Sequence, residues 1–162
     1  MVNGGRLLAG VALVALTAVL ADSALAAPPT CSQIPTGPLQ QALGTKPPPP
    51  STGTGTANGQ QTSSCSFGAI HITYTAGETL PKFNSLLKSE KAANKSFLQA
   101  NQGKYPGFVV IGTNNTIVNG KVKTTPEVFF NGLAQNTLVT VSGGKTAAQD
   151  EKLGAAILPL VK

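Results

Sequence analysis

The chain contains few of the residue types on which nucleic-acid recognition depends. Among its 162 residues there is no tryptophan and there are two tyrosines, and aromatic residues make up 5% of the sequence. No further arginine follows Arg6, so every cation after it is a lysine. Because proteins read bases and phosphates with the planar arginine fork and stack bases on aromatic rings, we expect no nucleic-acid partner.

Groups that carry enzyme chemistry are also scarce. His71 is the one histidine and so the only candidate general base, and no acid lies close to it in sequence except Glu78 in the turn that follows. Hydrolysis by paired carboxylates needs two acids across a cleft. The acids after residue 26 are scattered instead: Glu78, Glu90, Glu127, Asp150 and Glu151. We predict that the protein is not an enzyme and has no catalytic, cofactor-binding or metal-ligating residues; a hydrolase that uses His71 is the least favoured alternative.

The longest apolar run lies at the beginning of the chain. Residues 7–20 are apolar or small except for one threonine, and Arg6 precedes them. The run is shorter than the about 20 residues that a helix needs to cross a bilayer. Small residues at Ala24 and Ala26 then offer a cleavage site, which completes the layout of a secretory signal peptide.

This leader predicts the compartment of the rest of the chain. We expect cleavage after Ala26 or Ala27, so that residues 1–26 are a signal peptide and residues 27–162 form one secreted, extracytoplasmic domain without a membrane span. A retained membrane anchor is the alternative. A lipid anchor needs a cysteine directly after the cleavage site, and Cys31 lies too far along the chain for that.

Both cysteines lie in the part predicted to be exported. An even number of cysteines in an oxidising compartment indicates a disulfide, here between Cys31 and Cys65. A metal site would need more ligands than these two and His71, and a redox pair is usually close in sequence. The sequence therefore favours a structural bond.

The chain is basic, with a net charge of +6. The lysines of one predicted helix are candidate contacts for an anionic polymer of the cell envelope, although the solvated side of an amphipathic helix has the same pattern. These candidates are Lys82, Lys88, Lys91 and Lys95.

Residues 45–64 have the composition of a disordered loop. Pro47 to Pro50 are followed by Ser, Thr, Gly, Ala, Asn and Gln, and Ala57 contributes the only apolar side chain apart from the prolines. Such a segment buries too little surface to offset its ordering entropy. We predict a mobile loop; a polyproline ligand for an aromatic groove is the alternative.

The remaining pattern predicts a mixed fold. Alternating or continuous apolar residues predict strands at 65–75, 108–111, 128–133 and 138–141. Helices are predicted at 34–44, at 79–102 and after the capping-box sequence Thr146 to Gln149. We expect a two-layer α+β domain, with an antiparallel sheet of about four to five strands and helices packed on one face.

Gly144-Lys145-Thr146 follows a predicted strand and precedes a predicted helix, as the end of a phosphate-binding loop does. The complete motif needs a glycine at the position that Val139 occupies. We therefore expect no nucleotide site there.

The segments Cys31 to Ile34, Leu39 to Gly44 and Cys65 to Phe67 resemble those of a large family of short exported actinobacterial proteins, a domain of unknown function that includes many lipoproteins. In that family a cysteine precedes a short helix, and a variable loop leads to a second cysteine that opens a strand. This chain departs from it in having no lipobox and in having Phe67 where a tryptophan is common. The resemblance implies an exported fold and carries over no catalytic residue.

These features predict a secreted binding or envelope-associated module, monomeric, whose partner is an unknown protein or an anionic envelope polymer. A secreted inhibitor of another exported enzyme is the alternative, with residues 45–64 and 114–125 as protruding loops.

Overall fold

The fold is described from a computed structural model, over residues 27–93, 98–102, 104–118 and 120–162. The predicted signal peptide and Lys95 lie outside these ranges. A 3-10 helix at Cys31–Gln33 is followed by three α-helices and seven strands. These are α1 (Thr36–Leu43), β1 (Ser51–Ala57), β2 (Gln60–Phe67), β3 (Ile70–Ala76), α2 (Leu80–Ala93), β4 (Leu98–Gln102), β5 (Tyr105–Val118), β6 (Lys121–Ala134), β7 (Thr137–Ser142) and α3 (Ala147–Ile157).

The strands form one antiparallel sheet in the order β1-β2-β3-β7-β6-β5-β4. The α+β class and the antiparallel sheet are therefore as predicted. The expected count of four to five strands was too small, since the described part of the chain holds seven.

The prediction of a disordered loop at 45–64 was wrong, because β1 and β2 form a hairpin there. Asn58 and Gly59, at φ of 52° and 77°, make the two-residue turn in the left-handed region that matches strand twist. All of β1 is exposed. Pairing of β2 with β3 holds the hairpin in place, so a segment without an apolar face of its own is ordered by its neighbours.

Two further element boundaries differ from expectation. The strand predicted at 65–75 is interrupted by a turn at Gly68 and Ala69, so it belongs to β2 and β3. The helix predicted at 79–102 ends at Ala93, and its last segment is β4, which pairs with β5. The helix was predicted to extend this far because a few apolar residues have helical spacing. That spacing cannot reveal that a later segment, β5, is available as a strand partner.

One side of the sheet, which we call the α3 face, is covered by α1 and α3. Its core joins the two helices to side chains of β2, β3, β6 and β7. The largest of these buried residues are Leu39, Ile70, Ile72, Tyr74, Phe130, Val139, Leu153, Ile157 and Leu158.

The opposite side, which we call the α2 face, has its own smaller core. Phe83 of α2 packs on Phe108 of β5 with ring centroids 5.5 Å apart, and Val110 and Leu133 complete the buried cluster. The prediction that all helices lie on one face was therefore wrong. The continuous apolar run of β5 explains this arrangement. Neighbouring side chains of a strand point to opposite faces of the sheet, so such a run needs a covering layer on both faces.

Thr146 begins α3 as predicted, since its Oγ1 accepts a hydrogen bond from Gln149 N at 3.3 Å. The other half of the predicted capping box does not form. The Gln149 side chain instead donates through Nε2 to Gln41 O of α1, at 3.1 Å, and links the two helices. Within the described residues, no helix has the length and apolar character needed to cross a membrane.

Candidate ligand-binding groove

A groove lies on the α3 face, in a region that α1 and α3 do not line. It is bounded by the segment around Ala27 and Pro28 and by strands β1 to β3. It encloses a cavity of about 460 Å³. The residues that line it are Ala27, Pro28, Thr54, Gln61, Thr62, Ser63, Tyr74, Ala76 and Thr137. None of their side chains carries a charge, so these side chains and the backbone offer hydroxyl, amide and carbonyl groups. We call this cavity the Tyr74 groove.

Two buried hydroxyls in this lining have no partner among the described residues. Tyr74 is 2% exposed and Thr137 is 1% exposed, yet neither Tyr74 Oη nor Thr137 Oγ1 is hydrogen-bonded. Both side chains are on the α3 face because Thr137 pairs with Ala76, two residues along β3 from Tyr74. An unsatisfied buried hydroxyl costs about 1–3 kcal/mol. Because both residues line one cavity, water or a ligand that reaches these oxygens would supply the missing bonds.

Burial raises the pKa of Tyr74 well above its usual value. The phenol therefore keeps its proton over the physiological range and is available both as a donor and as an acceptor. Thr137 has the same two capacities. The side chains of the lining are thus suited to neutral hydrogen-bonding groups of a ligand, because none of these side chains supplies a charge.

The disulfide lies at a smaller cavity next to the groove. As predicted, Cys31 and Cys65 are bonded, with their Cα atoms 5.5 Å apart. The smaller cavity, of about 260 Å³, runs beside them and shares Pro28, Thr54 and Tyr74 with the Tyr74 groove. The bond therefore holds the segment before the 3-10 helix against β2, and that segment forms one wall of the groove.

His71, the predicted alternative base, lies exposed on the α2 face. Its Nδ1 is 3.0 Å from Ser66 Oγ on β2, so the structure brings a hydroxyl to it. Glu78 lies beyond the other end of β3 and accepts a hydrogen bond from Gln60 Nε2 at 3.3 Å. The sequence interpretation missed Ser66 because it placed both residues on one strand, whereas the β2–β3 register sets them opposite each other.

Of the lysines named as contacts for an anionic polymer, the three that the structure describes do not form one surface. Lys82 donates to Gly77 O at 3.1 Å, at the beginning of α2. Lys88 and Lys91 are exposed and one turn apart, on the far side of the helix from Lys82. The structure therefore leaves a patch of two described cations.

The Gly-Lys-Thr sequence has a structural explanation. Gly144 N donates a hydrogen bond to Asp150 Oδ1 at 3.0 Å. The backbone N–H that a phosphate-binding loop would direct to its ligand is therefore already paired with a carboxyl group. Burial raises the pKa of Asp150 to about 7, with a further contribution from the charge of Glu127, although the Gly144 bond opposes the shift. Lys145 lies against Gly44 at the C-terminal end of α1, where a cation is favoured.

Strands β5 and β6 continue past the rest of the sheet as a two-stranded arm. Residues 112–118 and 121–127 pair only with each other in the described sheet. Where the sequence suggested a protruding loop, the structure therefore has a long hairpin. Ile117 is 77% exposed and Val122 is 68% exposed, and the two are paired near the tip.

The four prolines line a second cavity, of about 770 Å³, which also borders Ile34, Leu39 and Phe67. Its walls are largely apolar, and the side chain of Lys46 stands at it. No unpartnered buried hydroxyl lines this cavity in the described structure. We therefore place the candidate site in the Tyr74 groove.

Comparisons with protein-family models, with curated proteins and with solved structures found no match.

Proposed function

We propose that the protein is a secreted, non-enzymatic binding module that takes a neutral, hydrogen-bonding ligand in the Tyr74 groove. The observation that carries this proposal is that Tyr74 and Thr137, whose buried hydroxyls have no partner among the described residues, line one cavity whose side chains are all uncharged. Ligand sites of proteins combine a concave surface with a few convergent polar groups, and this groove has both.

Export and release are part of the same proposal. The leader at 1–26, the disulfide and the resemblance to exported actinobacterial proteins support a location outside the cytoplasm. Expression of the full chain in a secreting host tests this point. We expect soluble protein in the medium whose N-terminal residue is Ala27 or Pro28; recovery of the intact chain in the membrane fraction would contradict it.

The binding proposal is tested with the secreted protein and a double variant, Tyr74→Phe with Thr137→Val. This variant removes both hydroxyls and keeps the shape of the groove. Thermal melting is measured with a panel of neutral oligosaccharides and of uncharged peptides. We expect at least one compound to raise the melting temperature of the wild type and to lose most of that effect on the double variant. A compound that shifts both proteins equally binds elsewhere, and a panel without any shift counts against the groove.

An inhibitor is the second candidate, and the β5–β6 arm favours it. The arm presents the apolar pair Ile117 and Val122 at an exposed end, as a segment that enters another protein's cleft would. Replacement of both by serine should abolish inhibition of a secreted hydrolase without changing the melting temperature. If no hydrolase in a panel of secreted proteases and glycosidases is inhibited by the wild type, this candidate is removed.

Two further proposals from the sequence have direct tests. A hydrolase that uses His71 and Ser66 would lose its activity in His71→Ala, and equal activity of variant and wild type on a substrate panel excludes it. Binding to an anionic envelope polymer through Lys88 and Lys91 would weaken as salt increases, because screening acts over about 10 Å at 0.1 M. Lys88→Gln with Lys91→Gln should then reduce binding to cell-wall preparations at low salt.

A further inference from the structure

We propose that the free edge of β1 binds an extended, uncharged segment of a partner polypeptide, which becomes a further strand of the sheet and directs alternate side chains toward the Tyr74 groove. This inference rests on the proposed function and names the class of its ligand. It is carried by the juxtaposition of an open strand edge with a groove whose side chains are uncharged and include the Tyr74 and Thr137 hydroxyls, which have no partner among the described residues.

The backbone groups of β1 that face outward follow from its turn. The Asn58–Gly59 loop has two residues, so Ala57 and Gln60 form the hydrogen-bonded pair next to it. Bonded and non-bonded pairs alternate along an antiparallel ladder. Thr52, Thr54 and Thr56 are thus non-bonded positions, and their N–H and C=O groups point away from β2. β1 is a terminal strand of the described sheet, so these groups form an open edge.

This edge lacks the features that usually block strand addition. Native sheets protect their edges with lysine, proline, bulges or very short strands. β1 is seven residues long and holds no charged residue and no proline, and its pairing with β2 is unbroken from Ser51 to Ala57. At the other end of the described sheet, β4 has five residues. The long, regular edge is therefore the one that fits an added strand.

The groove begins at the same edge. The side chains of Thr52, Thr54 and Thr56 share the α3 face with Tyr74, because Thr54 pairs with Ser63 and Ser63 pairs with Tyr74. Thr54 lines both the Tyr74 groove and the smaller cavity beside the disulfide. Every second side chain of an added strand lies on this face, next to the cavities.

The lining defines the chemistry of the partner segment. Neither β1 nor β2 carries a charged side chain, so a charged segment would find no counter-ion along these strands. Hydrogen bonds to the edge are given by any extended backbone, and the groove favours neutral side chains with hydroxyl or amide groups. Strand addition of this kind takes its affinity from the main chain and its specificity from pockets for alternate side chains.

The test is a selection from a phage-displayed library of random linear peptides on the secreted wild-type protein. Enriched peptides are synthesised and their affinities measured on three variants. Thr54→Pro removes an outward N–H, and proline is tolerated in an edge strand at such a position. Thr54→Ala keeps the N–H and is the matched control. Tyr74→Phe with Thr137→Val reports on the groove. Circular dichroism and melting temperature establish that each variant is folded.

We expect uncharged peptides that bind Thr54→Pro about tenfold more weakly than the wild type and clearly more weakly than Thr54→Ala, so that the difference between the two variants reports the N–H and not the side chain. Methylation of peptide amide nitrogens should weaken binding at every second residue only, as an added strand requires. Peptides that bind Thr54→Pro as well as the wild type, equal sensitivity to methylation at neighbouring residues, or a library without enriched peptides would each overturn the inference.

The same measurements separate this inference from the proposed function. Peptides that need the Thr54 N–H but bind the Tyr74 and Thr137 double variant unchanged support the edge and contradict the groove. Small neutral ligands that depend on the two hydroxyls, without any edge-dependent peptide, support the groove and contradict the edge.

Discussion

Gly154 of α3 lies against the ring of Phe130 in β6, so closely that a Cβ atom at Gly154 would overlap the ring edge. This contact sets how near the helix approaches the sheet. Gly154→Ala adds a methyl group that fits only if the helix moves away from the sheet, which lowers the free energy of unfolding by about 1–3 kcal/mol. The higher helix propensity of alanine offsets only about 1 kcal/mol of this loss. We expect a net loss of stability, measured as a lower midpoint in urea unfolding.

Gly37 of α1 is the matched control for this substitution. Apart from its chain neighbours and the backbone of its own helix, a Cβ there would have no heavy atom within 4 Å. Gly37→Ala should therefore cost much less stability than Gly154→Ala, because the crowding it adds is limited to the following Pro38 and is offset by the helix propensity of alanine. Equal effects of the two substitutions would show that the Phe130 contact does not limit the approach of α3.

Asp150 makes stability depend on pH. Its pKa is about 7 in the folded protein, against an ordinary value of 3.8, because burial disfavours the charged form. The native state therefore binds the proton more tightly than the unfolded chain. Its contribution to the free energy of unfolding is complete below pH 3.8 and is lost as pH rises through about 7, a change of about 2–4 kcal/mol.

Asp150→Asn tests this dependence because the amide resembles the protonated carboxyl and retains an oxygen for Gly144 N. Urea unfolding from pH 4 to pH 9 should show a smaller loss of stability in the variant than in the wild type. The variant should be the more stable protein at pH 9. Parallel pH profiles of the two proteins would be evidence against an elevated pKa at Asp150.

The disulfide should contribute substantially to stability. Cys31 and Cys65 are 34 residues apart, and a loop of this size gives about 4 kcal/mol in the chain-entropy model. Cys31→Ala with Cys65→Ala should lower the melting temperature by about 10–20 °C. Addition of reductant to the wild type should produce a similar fall, and an unchanged midpoint in both experiments would contradict a stabilising role.

The ring of Tyr74 should contribute much more than its hydroxyl to the stability of the unliganded protein. Since the hydroxyl has no described partner, Tyr74→Phe should change stability by less than about 1 kcal/mol or increase it. Tyr74→Ala removes a buried ring and should cost about 3–5 kcal/mol. A large loss in Tyr74→Phe would mean that the hydroxyl is already hydrogen-bonded without ligand.

The sequence predicted those parts of the fold that local pattern determines. Apolar alternation located β3, β7 and the second half of β6, and a threonine followed three residues later by glutamine located the beginning of α3. The pairing of Cys31 with Cys65 followed from their number and the predicted compartment. Each of these signals is contained within a few neighbouring residues.

Features that depend on distant pairing were not predictable in this way. The β1 segment has no apolar face, and only its pairing through β2 to β3 makes it a strand. The position of α2 on the face opposite α3 depends on the contact of Phe83 with Phe108 of β5, which come together only in the folded chain. The candidate site shows the same limit. Tyr74 and Thr137 are ordinary residues of amphipathic strands until the register of β3 with β7 brings both side chains to the lining of one cavity.

β1 is exposed along its full length, so the sheet ends in a strand with few buried contacts. Local opening of a segment costs little free energy when few buried contacts are lost, so amide hydrogens of β1 should exchange with solvent long before those of β3 and β7. Cys65 fastens the next strand, β2, to the 3-10 helix. Separation of β1 can therefore stop at this fixed strand. We therefore expect β1 to open while the remainder of the domain stays folded.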